Sequence, residues 1–495
     1  MTGGPHRDQV SKKATECCRA ARRYGALMAR TLALALSLGL ALSGLGWSAE
    51  RALGKARSGQ PARDQRHRAP PPPEVALTPT IGAGGVAITM QPVGLSLEYP
   101  VMAQDLGTGA CPPPALVTEL QQLGSPPLSL AGDSQDMTVP SGVLSGASES
   151  WETATLYTLP ASFWSQLHCL LSATRDPLTV GLNARTGQVS WATQMVAGAQ
   201  SAATNGLDFS LGNEPDLYSL PNYSSLDQPQ AAEETAAVNT YLQVAEQLEP
   251  TLDGAPVIGP ELARPAHWQH ELPRVIAQLH EQTVGVHLYP LTSCTTPKAV
   301  TIGGLLSTQA AELPRSLAWV VADASAAQAP AILSEANSSS CGGVAGVSDS
   351  PAAAVWAVRF VLSALKTGFR EVRFHFSGGP YDPFLVRGEE VLARPLESAL
   401  AALNQWLPVG SSLRSLDVRG LVATAVTQTA GTGLLILDNE RSLAAPVVLR
   451  GVRSVSVQTL DPTRAGLPST ELASSAERIK LTVAPNSVLA VSPTP

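Results

Sequence analysis

Short apolar runs alternate with stretches of helical apolar spacing along residues 94–407. Eight runs have the length and composition of buried strands, at 94–98, 128–131, 178–182, 207–211, 257–259, 284–288, 331–333 and 372–376. Between them apolar residues recur every three or four positions, most clearly at 231–248, 305–321, 352–366 and 396–407. Strands that alternate with helices favour a parallel sheet, and eight such units favour a closed barrel. We therefore predict an α/β fold with a (β/α)₈ TIM barrel over residues 92–408.

The pattern changes after residue 407. Short runs rich in β-branched residues follow at 421–427, 433–437, 447–449, 455–460, 479–483 and 488–491, and turn residues separate them. Several short strands with such turns are typical of an antiparallel β-sandwich. Residues 76–91 have a similar texture. We predict a C-terminal antiparallel β-sandwich domain after the barrel.

The first 75 residues have the composition of an export segment and a spacer. Residues 1–30 contain seven Lys and Arg, and residues 31–48 contain no charged residue. A basic region followed by an apolar one predicts that residues 1–50 are a cytoplasmic basic segment with a signal peptide or a signal anchor. Both alternatives remain open, since the 31–48 run has the length of either. Residues 51–75 are predicted to be a basic, Pro-rich linker.

Charge is distributed unevenly about this linker. Residues 1–68 contain 13 Lys and Arg and four Asp and Glu, so residues 69–495 carry a net charge of −16 given −7 for the whole chain. An acidic domain repels polyanions, which argues against nucleic-acid binding. We expect the domain after the linker to lie outside the cell, either secreted or anchored to the outer face of the membrane.

Four of the six Cys follow the export segment, where an oxidising compartment favours disulfides. Cys294 follows the sixth predicted strand and Cys341 the seventh, so their loops are neighbours in a barrel. We predict the pair Cys294–Cys341, which leaves Cys111 with Cys169. Four buried thiols are the alternative. A metal site is disfavoured because neither Cys-x-x-Cys nor paired His spacing occurs.

Two carboxylates follow predicted strands at the end of the barrel where such folds keep their chemistry. Glu214 follows the fourth strand, and Pro215 biases it away from the helical region. Glu335 follows the seventh strand. Only a closed barrel brings these two strands to one cavity. Two carboxylates at about 5–5.5 Å are what retaining glycoside hydrolysis requires, and such proximity raises the pKa of one of them.

Two segments make a family resemblance specific. Residues 210–218 read Ser-Leu-Gly-Asn-Glu-Pro-Asp-Leu-Tyr, and residues 334–343 read Ser-Glu-Ala-Asn-Ser-Ser-Ser-Cys-Gly-Gly. The chain resembles glycoside hydrolase family 79, the β-glucuronidase and heparanase-like family. The resemblance implies an exo-acting retaining β-glucuronidase without cofactor or metal, with Glu214 as acid/base and Glu335 as nucleophile. It also implies that residues 76–91 join residues 409–495 in the β-sandwich domain.

The substrate-binding residues are expected from the same resemblance and from local pattern. Asn213 carries an amide suited to the sugar 2-hydroxyl, and Tyr289 and Tyr381 resemble family tyrosines of the substrate pocket. His287 shares a strand face with Tyr289; a core histidine is the equal alternative for it. We expect His375 on the eighth strand to be structural.

One motif departs from the family. After the second strand the family has an Arg-x-Gly-Gly-Asn-Ser-Gln-Asp type of run, whereas residues 129–136 read Ser-Leu-Ala-Gly-Asp-Ser-Gln-Asp. Ser134, Gln135 and Asp136 match and are expected near the substrate. Asp133 replaces Asn and would add negative charge beside an anionic sugar.

The loops at 211–218, 287–294 and 334–349 contain no Lys or Arg. A uronate carboxylate is therefore expected to be bound by hydroxyl groups and by backbone N–H groups at Gly342 and Gly343. The alternative is that these glycines only turn the loop. Two other functions remain: a heparanase-like endo-β-glucuronidase, which the acidic domain disfavours, and a catalytically inactive surface sugar-binding protein, which the two glutamates disfavour.

Overall fold

The computed structural model describes residues 72–76, 85–143, 156–218, 230–428 and 433–494. Eight parallel strands form a closed barrel, and each is hydrogen-bonded to its neighbours in sequence, with the eighth paired to the first. In chain order, the first to eighth barrel strands are Val93–Glu98, Leu128–Ala131, Leu178–Leu182, Leu207–Leu211, Val257–Leu262, Thr283–Leu288, Ala331–Ala336 and Val372–Phe376. The predicted barrel is confirmed. The fifth and seventh strands run three residues further than predicted.

Helices connect consecutive strands on the outside of the barrel. They span Tyr99–Asp105, Pro114–Gln122, Phe163–Thr174, Val189–Ala202, Ala231–Leu248, Leu272–Gln278, Pro351–Thr367 and Pro395–Trp406. A single helix was expected within 305–321, but this region contains three short helices, Ile302–Leu305, Thr308–Glu312 and Ala318–Ala326. A 3-10 turn at Leu313–Leu317 separates the last two. Pro314 explains the break, because proline lacks the N–H that a continuous helix needs.

The helix Pro351–Thr367 lies between the barrel and the C-terminal sheets and is buried along most of its length. Trp356 and Phe360 are fully buried, with ring centroids 5.0 Å apart. Arg359 of this helix forms a buried ion pair with Asp438, a residue of a C-terminal strand, at 2.8 Å. Apolar packing and one paired charge thus fix the C-terminal region against the barrel.

Two sheets with a common apolar core follow the barrel. The larger has seven strands, in the order Val86–Ala87, Ser412–Val418, Leu421–Thr427, Gly433–Asn439, Ser487–Pro493, Ser454–Leu460 and Ser469–Ala473. The smaller has three, in the order Glu74–Ala76, Ala445–Arg450 and Arg478–Val483. All pairs are antiparallel except that of Glu74–Ala76 with Ala445–Arg450, which is parallel. Each sheet therefore takes one strand from the segment that precedes the barrel.

Both predicted disulfides are present, Cys294–Cys341 and Cys111–Cys169. The second joins the segment before the helix Pro114–Gln122 to the helix Phe163–Thr174. The predicted export segment, 1–50, and nearly all of the 51–75 linker lie outside the described residues. Among the helices that the structure describes, none combines the length and apolar character needed to span a membrane.

Candidate active site

Glu214 and Glu335 both lie at the C-terminal ends of barrel strands. Glu214 lies three residues beyond the end of the fourth strand in a left-handed conformation, with φ 51° and ψ 51°. Its N–H donates to the carbonyl of Glu261 at 3.0 Å. Pro215 excludes the right-handed helical region as expected, although the outcome is left-handed rather than extended. Glu335 lies inside the seventh strand, whereas the sequence predicted it in the following loop.

The two carboxylates approach each other closely across the barrel. One oxygen of Glu214, one oxygen of Glu335 and a ring nitrogen of His287 all lie within 4.8 Å of one another. The hydroxyl of Tyr289 donates to Oε1 of Glu335 at 2.7 Å. Glu335 is 6% exposed, so this hydrogen bond fixes a carboxylate that has little contact with solvent.

His287 lies between two glutamates. Its Nδ1 is 3.0 Å from Oε1 of Glu214, and its Nε2 is 3.2 Å from Oε2 of Glu261. Burial alone would lower the pKa of His287, but the surrounding glutamates outweigh burial and raise it well above its ordinary value. The raised pKa favours the imidazolium form, and the ring connects Glu214 to a buried glutamate of the fifth strand.

His375 has the same relation to Glu335. Its Nδ1 is 3.3 Å from Oε2 of Glu335, and its Nε2 is 3.4 Å from Oε1 of Glu98 at the end of the first strand. Burial opposes protonation, but Glu335 and Glu98 raise the pKa of His375 to about 9. His375 was expected to be structural, and its ring contacts Glu335, one of the two candidate catalytic carboxylates. Glu214 and Glu335 thus each contact a histidine ring, and each of these rings contacts a second glutamate.

Gly132 makes room for the contact between Glu98 and His375. It has φ 73°, and a Cβ there would lie 2.6 Å from Oε1 of Glu98 and from Cε1 of His375. The residue begins the turn Asp133–Met137 after the second strand. Glycine is required on both grounds, since the backbone is left-handed and the side-chain space is occupied.

Ser134, Gln135 and Asp136, the residues of this turn that match the family run, form hydrogen bonds with neighbouring residues of the site. The Ser134 N–H donates to Oε2 of Glu98 at 2.8 Å, and Gln135 donates to the carbonyl of Leu182 at 3.2 Å. Asp136 accepts from the N–H of Asn213 at 3.1 Å and from the hydroxyl of Tyr218. All three side chains are at least 95% buried. They position other residues of the site, and the main cavity is not lined by them.

A cavity of about 800 Å³ opens above the two carboxylates. Its walls include four acidic side chains, Glu98, Asp133, Glu214 and Glu335, together with His375, Tyr289, Tyr381 and Gly342. Arg264, from the loop after the fifth strand, also lines the cavity. The expectation that a uronate is bound by hydroxyl and backbone donors considered only the loops that carry Glu214, Tyr289 and Glu335, and it stays a prediction.

Asn213 lies in a smaller recess beside the cavity, together with Asp133 and Glu214. Its Nδ2 is 3.5 Å from Oδ1 of Asp133. Its Oδ1 is buried and has no hydrogen-bond partner among the described residues. An amide oxygen of this kind is available to a hydroxyl donor of a ligand.

The loop after the seventh strand is held by the disulfide between Cys294 and Cys341, and both residues line the cavity. The Ser293 hydroxyl also donates to the carbonyl of Ser340 at 2.6 Å. Gly342 and Gly343 both have φ 80°. A Cβ at Gly343 would lie 3.0 Å from Cβ of Tyr381, so this loop packs directly against the tyrosine.

Glu214, His287 and Glu335 are also arranged so that each could offer one ligand atom to a cation. The protonated state of His287 opposes this, because an imidazolium has no free lone pair for a metal. The absence of a metal and of a cofactor stays a prediction.

Sequence reasoning missed Glu98, Glu261 and Arg264. Glu98 ends the first strand, and Glu261 is the penultimate residue of the fifth. The rule that singled out Glu214, a carboxylate at a strand's C-terminal end, would have found both if applied to every strand. Arg264 gave a weaker signal, since it is not a carboxylate and lies in the loop after its strand.

No protein-family model matches the sequence, and no curated protein matches it. Solved structures do resemble the fold. A 4-O-α-L-rhamnosyl-β-D-glucuronidase from Fusarium oxysporum 12S is 19% identical with a TM-score of 0.62, over 85% of this chain and 99% of that one. A GH51 arabinofuranosidase from Xanthomonas axonopodis pv. citri is 13% identical with a TM-score of 0.56, over 84% and 98%. A GH30 endoxylanase from Clostridium papyrosolvens C71 is 11% identical with a TM-score of 0.53, over 86% and 100%. At these identities the similarity establishes the shared fold.

Proposed function

We propose that this protein is a retaining glycoside hydrolase of the family 79 type that cleaves β-glucuronides by double displacement. The observation that carries the proposal is the approach of Glu214 and Glu335, whose nearest oxygens lie within 4.8 Å. Inverting enzymes keep their carboxyl groups about 6.5–9.5 Å apart to leave room for a water molecule. The short separation favours direct attack by one carboxylate.

Glu335 is the nucleophile in this proposal. Its Oε1 accepts from Tyr289, and its Oε2 lies 3.3 Å from the imidazolium of His375. Both contacts fix the orientation of the carboxylate. The carboxylate attacks the anomeric carbon, a glycosyl ester forms, and the bond to the leaving oxygen breaks.

Glu214 is the acid and then the base. It protonates the leaving oxygen in the first step, and in the second it takes a proton from the water that hydrolyses the ester. His287 contacts it at 3.0 Å on the side of Glu261. This contact orients the carboxyl group of Glu214.

The choice of a glucuronide rests on two supports. The Fusarium protein of similar fold is named as a β-D-glucuronidase. Tyr381, by the family resemblance, and the backbone N–H groups of Gly342 and Gly343, which carry no side chains, offer neutral donors to a sugar carboxylate. An exo mode agrees with the acidic cavity walls, since a densely sulfated polymer would be repelled. Two disulfides agree with an extracellular protein.

Incubation with 4-nitrophenyl β-D-glucuronide and the matching β-D-glucoside tests the proposal. We expect release from the glucuronide, with a β-configured first product observed by proton NMR before mutarotation. An α-configured product would contradict the retaining mechanism. No release from either glycoside, with Glu335→Gln as the inactive control, would leave a sugar-binding protein as the alternative.

A further inference from the structure

Asp133 brings a carboxylate into the cavity where the family pattern has a neutral amide. It follows Gly132 at the start of the turn after the second strand, and its side chain is exposed toward the cavity. The Nδ2 of Asn213 lies 3.5 Å from its Oδ1. A carboxylate at this position therefore lies beside the amide that is expected to bind the sugar.

The groups that face Asp133 are mostly acidic. Glu98 comes from the first strand, Glu214 from the loop after the fourth and Glu335 from the seventh, whereas His375 of the eighth strand opposes them. Loss of solvation by the surrounding protein, together with the charges of these three carboxylates, raises the pKa of Asp133 to about 7. Asp133 is thus neutral in acid and ionised in mild alkali.

The remaining charged side chains near Asp133 are Asp136, Arg185 and Arg264. Asp136 and Arg185 share the small recess with Asp133. The carboxylate of Asp136 accepts hydrogen bonds from backbone N–H groups and from the hydroxyl of Tyr218. The guanidinium of Arg185 lies over the ring of Tyr218, 5.5 Å from its centroid. Arg264 lines the larger cavity from the loop after the fifth strand.

We propose that Asp133 determines which sugars the cavity prefers: its ionisation weakens the binding of anionic sugars while neutral sugars of the same shape remain bound. The catalytic consequence, less efficient cleavage of β-glucuronides in mild alkali, rests on the proposed function. The binding consequence does not depend on catalysis.

Coulomb repulsion gives the expected size of the effect. Within a cavity of about 800 Å³ a bound uronate carboxylate and Asp133 are close neighbours. Two like charges about 10 Å apart, at an effective dielectric constant of about 20, weaken binding roughly tenfold. A neutral sugar experiences no such repulsion, and its hydroxyls can donate to ionised Asp133.

The test compares D-glucuronate with D-glucose as ligands, with dissociation constants measured by ligand-observed NMR at about pH 5.5 and about pH 8. We expect the ratio of the two constants, glucuronate over glucose, to rise roughly tenfold with pH in the wild type. In Asp133→Asn it should change less than about threefold. Asp176→Asn is the matched control, because burial also raises the pKa of Asp176 to about 7 but Asp176 precedes the third strand, at the other end of the barrel.

Three outcomes overturn the proposal: a ratio that does not change in the wild type, an unchanged rise in Asp133→Asn, or binding of neither sugar. Activity is measured in parallel on the two 4-nitrophenyl glycosides. If neither is cleaved, the proposed function fails while the binding ratios still decide the role of Asp133. If both are cleaved but Asp133→Asn has the wild-type ratio at both pH values, the proposed function stands and this inference fails.

Discussion

Nδ1 of His375 lies 3.3 Å from Oε2 of Glu335, and this contact makes part of the stability of the protein depend on pH. The pKa of His375 is raised to about 9 in the folded chain, above an unfolded value near 6.5. The stabilisation is therefore complete below about pH 6.5 and is lost as the pH rises through about 9. The shift corresponds to roughly 3 kcal/mol at most.

Denaturant unfolding at about pH 6.5 and about pH 9.5 measures this loss. In His375→Gln the free energy of unfolding should vary less between the two pH values than in the wild type. His270→Gln is the control, since His270 also contacts a glutamate, Glu234 at 3.0 Å, but has a side chain that is 78% exposed. The same pH dependence in His375→Gln and the wild type would contradict the prediction.

The two glutamates of the pair should respond differently to removal of their charge. Glu335→Gln should abolish nearly all turnover, because every substrate needs the nucleophile. Glu214→Gln should retain turnover of substrates with good leaving groups, which need no protonation. Steady-state kinetics on a series of aryl β-glucuronides measures the dependence on leaving group. Azide should restore activity to Glu214→Ala with retention of configuration, and an inverted azide product would exclude Glu214 as acid/base.

The disulfide between Cys294 and Cys341 should matter for activity as well as for stability. It closes 47 residues, for which chain entropy suggests roughly 4 kcal/mol. Replacing both residues by Ser should therefore lower the melting temperature and also raise KM, since the bond holds the loop of Gly342. Replacing Cys111 and Cys169 by Ser, a bond that closes 58 residues, should lower the melting temperature by a similar amount with little change in KM. Equal KM in both double variants would show that the first bond does not shape the cavity.

The hydroxyl of Tyr381 should contribute more to kcat/KM for a uronate substrate than for a neutral sugar. Charge-assisted hydrogen bonds contribute about 1.5–3 kcal/mol, so Tyr381→Phe should lose roughly tenfold more kcat/KM on a β-glucuronide than on the β-glucoside. Arg264→Gln is the informative comparison, because Arg264 also lines the cavity. If Arg264→Gln shows the selective loss and Tyr381→Phe does not, the carboxylate is bound by the guanidinium.

The apolar pattern predicted the barrel well because strand identity is a local property. Strands such as Leu178–Leu182 are buried throughout, and their composition alone marks them. The two glutamates were also predictable, since strand order in a closed barrel determines which loops meet. The role of His375 was not, because it depends on where one ring points between the first and seventh strands. Side-chain direction across non-adjacent segments has no signature in a single sequence.

The strand Glu74–Ala76 has a consequence for the order in which the chain folds. It pairs with Ala445–Arg450, so its partner is synthesised after the whole barrel. Val86–Ala87 likewise pairs with Ser412–Val418. Contacts this distant in sequence form slowly, since the chain must close a long loop first. The barrel strands can associate while synthesis continues. Both C-terminal sheets, in contrast, are completed only once the segment that follows the barrel has been made.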